Sequence, residues 1–293
     1  MQKSKLISSN QIRKKVLKVN LKIMNLKITV TALLYVFTSQ QLSAQSNIEA
    51  ATQILEEKYK VNSAFMPGEK LTYEIKYGII KGGKVELFVG FEPVGYDYMF
   101  HVRAVAQEGG AVSAFATIYD IYESWFDIYT GLPVKAVRNV TENSYKRYNE
   151  DLFCNDSCVV YSMKSGRHEV PKNTFDLLSA FYYSRRFLIN GNMKKNETMN
   201  LFTWFNEKLY PVQLRYKKTE KISTDFGKIE CLKFVPVTQG NTMFKDEDAI
   251  EAWFTNDNRY VPVYVKIDMP FADLRVRLTN YQNLKEVDNP LLK

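Results

Sequence analysis

From Gly68 onward the chain alternates apolar and polar residues with a period of two, the pattern of strands that bury one face and wet the other. Leu71, Tyr73, Ile75 and Tyr77 interleave with Thr72, Glu74 and Lys76. After Lys81-Gly82-Gly83, read as a turn, Val85, Leu87 and Val89 continue the pattern, which predicts a β-hairpin whose glycines supply positive φ. Further strands are predicted around Tyr98 to Gln107, Ile118 to Asp127, Val134 to Thr141, Tyr145 to Phe153 and Val159 to Met163. One segment changes period: Phe175, Leu178, Tyr182 and Ile189 recur at helical spacing between a cap at Asn173 and Asn190-Gly191. Strands then resume at Glu197 to Phe205, Tyr210 to Glu220, Gly227 to Val237, Ile250 to Phe254, Val261 to Ile267 and Ala272 to Asn280. The expected fold is therefore mainly β, an antiparallel meander forming a curved sheet or partly open β-barrel, with one central helix over about 174–190.

An internal echo divides this meander. Glu123-Ser124-Trp125-Phe126 followed by Leu132-Pro133-Val134-Lys135 is matched by Glu251-Ala252-Trp253-Phe254 followed by Val261-Pro262-Val263. Both read as strand, polar turn and strand, with proline at the start of the returning strand, where its missing N–H costs least. The expected organisation is a leader over 1–44, an N-terminal arm over 45–64 (a short helix or a loose arm), a single β domain over 65–285 of two halves joined by the helix, and a tail over 286–293.

Charge separates the leader from the rest. Lys3, Lys5, Arg13, Lys14, Lys15, Lys18, Lys22 and Lys27 precede residue 45 without one acidic residue, and an apolar run from Ile28 to Phe37 has the length of a signal-peptide core. Small residues near Ala44 offer a cleavage point, with no cysteine for lipoprotein processing, and Met24 is an alternative start. Removing the leader takes away 8 of the 40 basic groups and leaves 32 against 32 acidic ones. The pI of about 9.1 thus carries no nucleic-acid signal once the leader is gone. The remaining 249 residues, 45 to 293, contain no apolar run long enough to span a bilayer. A periplasmic protein is the expectation.

Several stretches resemble a known family: Gly68-Glu69-Lys70-Leu71-Thr72-Tyr73, Glu123-Ser124-Trp125-Phe126-Asp127 with Thr130-Gly131-Leu132-Pro133, Asp176-Leu177-Leu178-Ser179-Ala180-Phe181-Tyr182-Tyr183, Glu251-Ala252-Trp253-Phe254-Thr255 and Val261-Pro262-Val263. They are similar to the exported bacterial domain-of-unknown-function family 3108 over roughly residues 65 to 285. That resemblance implies an envelope protein of Gram-negative type and carries over no catalytic residue and no ligand. The phrase running from Trp125 to Val134 is also similar to one in periplasmic lipoprotein carriers and a related envelope-stress regulator. This second likeness implies a half-closed sheet with helices against its concave side, holding acyl chains.

Candidate chemistry is sparse. Asp120, Glu123 and Asp127 flank Tyr122 and Trp125, but alternation puts Asp120 and Tyr122 on one face and the others on the opposite one, so a solvated strand face is the expectation rather than an acid–base pair. With His101 and His168 the only histidines, no nucleophile–base or metal-ligand pattern is present, and His101 reads as an exposed strand residue. Asp246, Glu247 and Asp248 lack the spacing of a calcium loop. Cys154 and Cys158 could close a short disulfide loop, leaving Cys231 alone. No catalytic residue, metal or cofactor is expected. Aromatic residues are abundant, with 19 Tyr, 18 Phe and 3 Trp, and serve either as core or as the lining of an apolar cavity. On the second reading Trp125, Tyr182, Arg185 and Trp253 are the candidate ligand-binding residues, Arg185 facing an anionic headgroup. The expected partner is a lipid, lipoprotein or other amphipathic envelope component. A scaffold binding an envelope protein is the alternative, and a hydrolase of envelope polymers the third reading.

Overall fold

The structure, a computed structural model, describes residues 45–54, 64–189, 193–237, 250–268 and 273–292. The expected leader, Asn190-Gly191 and the acidic stretch at Asp246 to Asp248 lie outside the described residues. Residues 45–53 form helix α1, in a unit separate from the β domain.

The β domain is one sheet. Its first eight strands are β1 (Lys70–Tyr77), β2 (Ile80–Val94), β3 (Asp97–Glu108), β4 (Ile118–Asp127), β5 (Pro133–Glu142), β6 (Tyr145–Cys154), β7 (Val159–Ser162) and β8 (Gly166–Glu169). Then come β9 (Thr174–Phe175), helix α2 (Leu177–Ile189), β10 (Thr198–Phe205), β11 (Lys208–Thr224), β12 (Gly227–Pro236), β13 (Ile250–Thr255), β14 (Pro262–Ile267) and β15 (Leu274–Gln282). The order across the sheet is β8 to β1, then β15 down to β9. Every neighbour follows its neighbour in sequence except at β1–β15, where the two halves meet. All pairs are antiparallel except β9–β10. The sheet is curved and does not close.

Alternation decides which residues meet α2. Leu71, Tyr73, Leu87, Val89, Phe100, Val102, Phe126, Phe234, Phe254 and Leu278 are buried, and their strand neighbours of opposite parity line the other face. Phe65, at the entry to β1, meets Phe100 edge-on at 5.0 Å and Tyr182 of α2 at 4.6 Å. Edge-to-face contacts of this kind are worth about 0.5–1.5 kcal/mol each beyond area burial.

Two local expectations change. The β1–β2 turn is at Gly78-Ile79, with Gly78 at φ 58, while Gly82 and Gly83 run inside β2. Gly83 is needed for close approach: a Cβ there would sit 2.2 Å from the Gln107 carbonyl oxygen. Helix α2 begins at Leu177, not after Asn173, because Thr174 and Phe175 pair with β10 and Asp176 supplies the cap. Asp176 Oδ1 accepts from the Leu178 and Ser179 amides at 2.8 and 3.2 Å.

Candidate functional site

Tyr182 and Arg185, two of the candidate ligand-binding residues, are buried in the core. Arg185 is fully buried and forms a two-pronged pair with buried Glu69, Nη1 to Oε1 at 2.5 Å and Nη2 to Oε2 at 2.9 Å. It also donates to the Ala64 carbonyl at 3.2 Å and, through Nε, to the Arg259 carbonyl at 3.1 Å. Burial works against its charge, and the Glu69 carboxylate outweighs that, leaving the guanidinium above its ordinary range. Tyr182 is buried beside it, its hydroxyl pushed well up by burial and by Glu69. A headgroup could reach Arg185 only by unpacking α2.

The stretches that carried the family resemblance converge here. Glu69 holds Arg185, Tyr73 donates to the Pro262 carbonyl at 2.9 Å, and Ser124 donates to Asp176 Oδ2 at 2.5 Å. Asp127 Oδ1 accepts from the amides of Tyr129 and Thr130 and from the Thr130 hydroxyl, shaping the turn whose Gly131, at φ 72, lies under Tyr183. The carrier-like phrase is thus a turn that fits beneath α2.

Trp125 and Trp253 lie on the opposite face, and the echo between them is geometric. Trp125 Nε1 donates to Glu92 at 3.2 Å and Trp253 Nε1 to Glu220 at 2.9 Å, each glutamate 33 residues earlier. Lys135 stands 5.4 Å over the Trp125 ring and Lys233 5.0 Å over that of Trp253. Both strands carry an irregularity immediately after the tryptophan, opposite Pro133 and Pro262. His101 is not the exposed residue expected. It stacks on Trp125 at 4.1 Å, with Nδ1 2.7 Å from Glu92 and Nε2 3.2 Å from Glu123. Asp120 is also not solvated: it is buried, takes the Thr141 amide at 3.1 Å, and burial raises its carboxyl.

Trp253 lines a groove of about 320 Å³ with Tyr264, Lys76, Arg275, Arg277 and Glu74. Register explains the gathering, since Trp253, Tyr264, Arg277 and Glu74 are successive cross-strand partners and so share one face. The end of β11 at Ile222 to Thr224 forms another wall, tied down by Asp225 to Arg277 at 3.1 Å. Glu74 bonds Lys81, Lys76 and Arg277, and the hydrogen bonds and charges of the two lysines, led by Lys81, hold its carboxyl down to about 2. Arg277 Nε is buried and has no hydrogen-bond partner among the described residues. The groove therefore offers aromatic rings and cations.

A second cleft was invisible to sequence reasoning, because the residues that form it are distant along the chain. Arg138, Arg147, Asn149, Asp151, Asp176, Trp204 and Glu207 surround about 30 Å³ where β5 and β6 approach the β10–β11 turn. That volume admits a few waters and no sugar ring. Asp120, Glu123 and Asp127 do not converge with it as a trio, since only Glu123 reaches its lining. Among the described residues, no group of three or more His, Cys, Asp and Glu is placed to hold a metal ion. Of the two readings open for Cys154 and Cys158, a short disulfide loop or free thiols, this structure has the free thiols. A 3₁₀ turn, Asn155–Ser157, intervenes, and Cys158, at φ 54, directs its thiol toward the Asn155 carbonyl at 3.8 Å. Cys231 is buried, which pushes its thiol up to about 12.

Solved structures share this architecture only loosely. A β-barrel-like protein of domain of unknown function DUF1849 from Brucella abortus is 10% identical with a TM-score of 0.49, covering 74% of this chain and 98% of its own. The hypothetical protein CT021 from Chlamydia trachomatis is 9% identical with a TM-score of 0.36, covering 78% and 92%. A duf1089 family protein from Pseudomonas aeruginosa is 10% identical with a TM-score of 0.34, covering 64% and 90%. No curated protein matches the chain. Residues 72–279, most of the β domain, match the family described as protein of unknown function DUF3108, and the chain belongs to that family.

Proposed function

We propose that this is a non-catalytic binding protein of the bacterial envelope, exported to the periplasm by its leader, which takes an amphipathic, acceptor-bearing ligand in the Trp253 groove. The observation that carries the reading is a groove that sets the Trp253 and Tyr264 rings beside the cations of Lys76, Arg275 and Arg277. The rings supply apolar contact, and the cations attract a ligand's acceptor oxygens. The space between α2 and the sheet is a poor alternative, because Phe65, Phe100, Phe126 and Tyr182 fill it around the Glu69–Arg185 pair. The ligand class is an envelope lipid, lipoprotein acyl group or similar molecule, with no cofactor involved.

The test is native mass spectrometry of the processed protein, extracted gently from the periplasm of its own cells. The expected result is a stoichiometric bound mass that Tyr264→Ala loses. A clean ligand-free mass, or equal loading of the variant, would remove the groove from consideration, and recovery only as an unprocessed cytoplasmic chain of 34.1 kDa would remove the export.

The edge of β8, whose residues are mostly exposed, favours a second reading, an envelope protein partner that adds a strand there. Crosslinking in whole cells discriminates, since a scaffold traps one dominant partner.

A further inference from the structure

The connections β1–β2, β3–β4, β5–β6 and β7–β8 all lie on one rim of the sheet, because antiparallel strands return to the same side every second turn. Each tip there exposes a large apolar side chain: Ile79 is 98% exposed, Phe115 88%, Met163 63% and Tyr145 48%. Nothing in the packing requires this, since a two-residue turn works as well with polar residues. Lysines sit beside them in sequence, as Ile80-Lys81, Tyr145-Lys146 and Met163-Lys164, and all three are exposed. Lys81 also bridges to Glu74 at 2.9 Å. Glu142 is the exposed carboxylate at these tips among the described residues.

The Phe115 tip is held in place. Gly109 donates to the Gly82 carbonyl at 3.1 Å, and Gly110, at φ 60, lies so close to Lys81 that a Cβ would stand 2.9 Å from the Lys81 Cβ. The 3₁₀ turn Gly110–Ala114 leading to Phe115 is thereby braced against the start of β2.

We infer that the rim carrying Ile79, Phe115, Tyr145 and Met163 docks on the surface of a bilayer containing anionic phospholipid. Four separate apolar tips, three of them with an adjacent lysine, suit a fluid interface, which accepts each tip independently while the ammonium groups stay at the headgroups.

Sedimentation of the processed protein with vesicles of phosphatidylethanolamine and phosphatidylglycerol, against vesicles of phosphatidylcholine alone, tests this. The expected result is binding to the anionic vesicles, reversed by salt. The double variant Ile79→Asp, Phe115→Asp should lower the partition by at least roughly tenfold while the thermal midpoint stays put, since both side chains are already in water. Lys146→Glu with Lys164→Glu should weaken binding to the anionic vesicles. Tyr264→Ala should bind them like the parent, so failure of the groove reading leaves this one standing. Absence of binding to either vesicle, undiminished binding by the Ile79 and Phe115 variant, or capture of a protein through the same rim without vesicle binding would overturn it.

Discussion

Arg185 shows how a residue's environment reverses its apparent role. In the sequence it reads as a helix cation facing an anionic headgroup, yet it is fully buried, whereas Arg186 reaches the surface turn and donates to the Tyr129 carbonyl at 2.8 Å. A buried ion pair contributes little net stability when intact, because desolvation offsets attraction, but removing one partner strands the other. Arg185→Met is therefore expected to cost about 3–5 kcal/mol in denaturant unfolding, with a charged Glu69 left in the core. Adding Glu69→Leu should recover only part of the loss. The Ala64 and Arg259 carbonyls still lose their donor, which an ordinary ion pair would not entail. Full recovery in the double variant would mean that the carbonyl contacts are energetically idle.

At the scale of elements, α2 depends on one side chain at its start. Asp176 caps two amides and accepts from Ser124 of β4, so it orders the helix and fastens it to the sheet at once. Asp176→Ala should cost about 2 kcal/mol or more, above an ordinary cap because the Ser124 hydroxyl is also left unpaired. Asp176→Asn should cost less. Burial raises the Asp176 carboxyl above its ordinary 3.8 despite these bonds. Its stabilising contribution is accordingly fullest below 3.8 and declines as pH rises through the folded-state value, a slope that Asp176→Asn should flatten in pH-resolved unfolding. Most elements were legible in the sequence: β4 has the bounds that alternation gives, Ile118 to Asp127, because turn residues close it at both ends. The misses share a cause. Strands β8 and β9 are too short to show a period, and Gly82-Gly83 imitates a turn while serving close packing. Glu69 and Arg185 are 116 residues apart, and alternation carries no information about a partner at that separation.

For the whole molecule the decisive feature is the seam. The sheet's free edges, β8 and β9, are joined by only four residues of chain, but no backbone ladder connects them. Side chains close the gap instead. Trp204 of β10 packs with Phe153 and Val160 and lies 4.8 Å from the His168 ring, Arg138 donates to Asn206 at 3.0 Å, and Arg147 pairs with Glu207. Asn206 and Glu207, at φ 55 and 57, form the tight β10–β11 turn that presents both acceptors. Such a closure should be the weakest region of the sheet, because its edge strands have ladder partners on one side only, whereas β1 and β15 are paired on both. Removing the largely buried Arg147 side chain by Arg147→Ala leaves Glu207 without its cation and should cost about 1–2 kcal/mol, between the values for exposed and buried pairs. Hydrogen exchange should then accelerate in β7 and β8 first, with β1, β2 and β15 unchanged until global unfolding. Uniform acceleration across all strands would show instead that the sheet opens as one cooperative unit and that the seam has no separate stability.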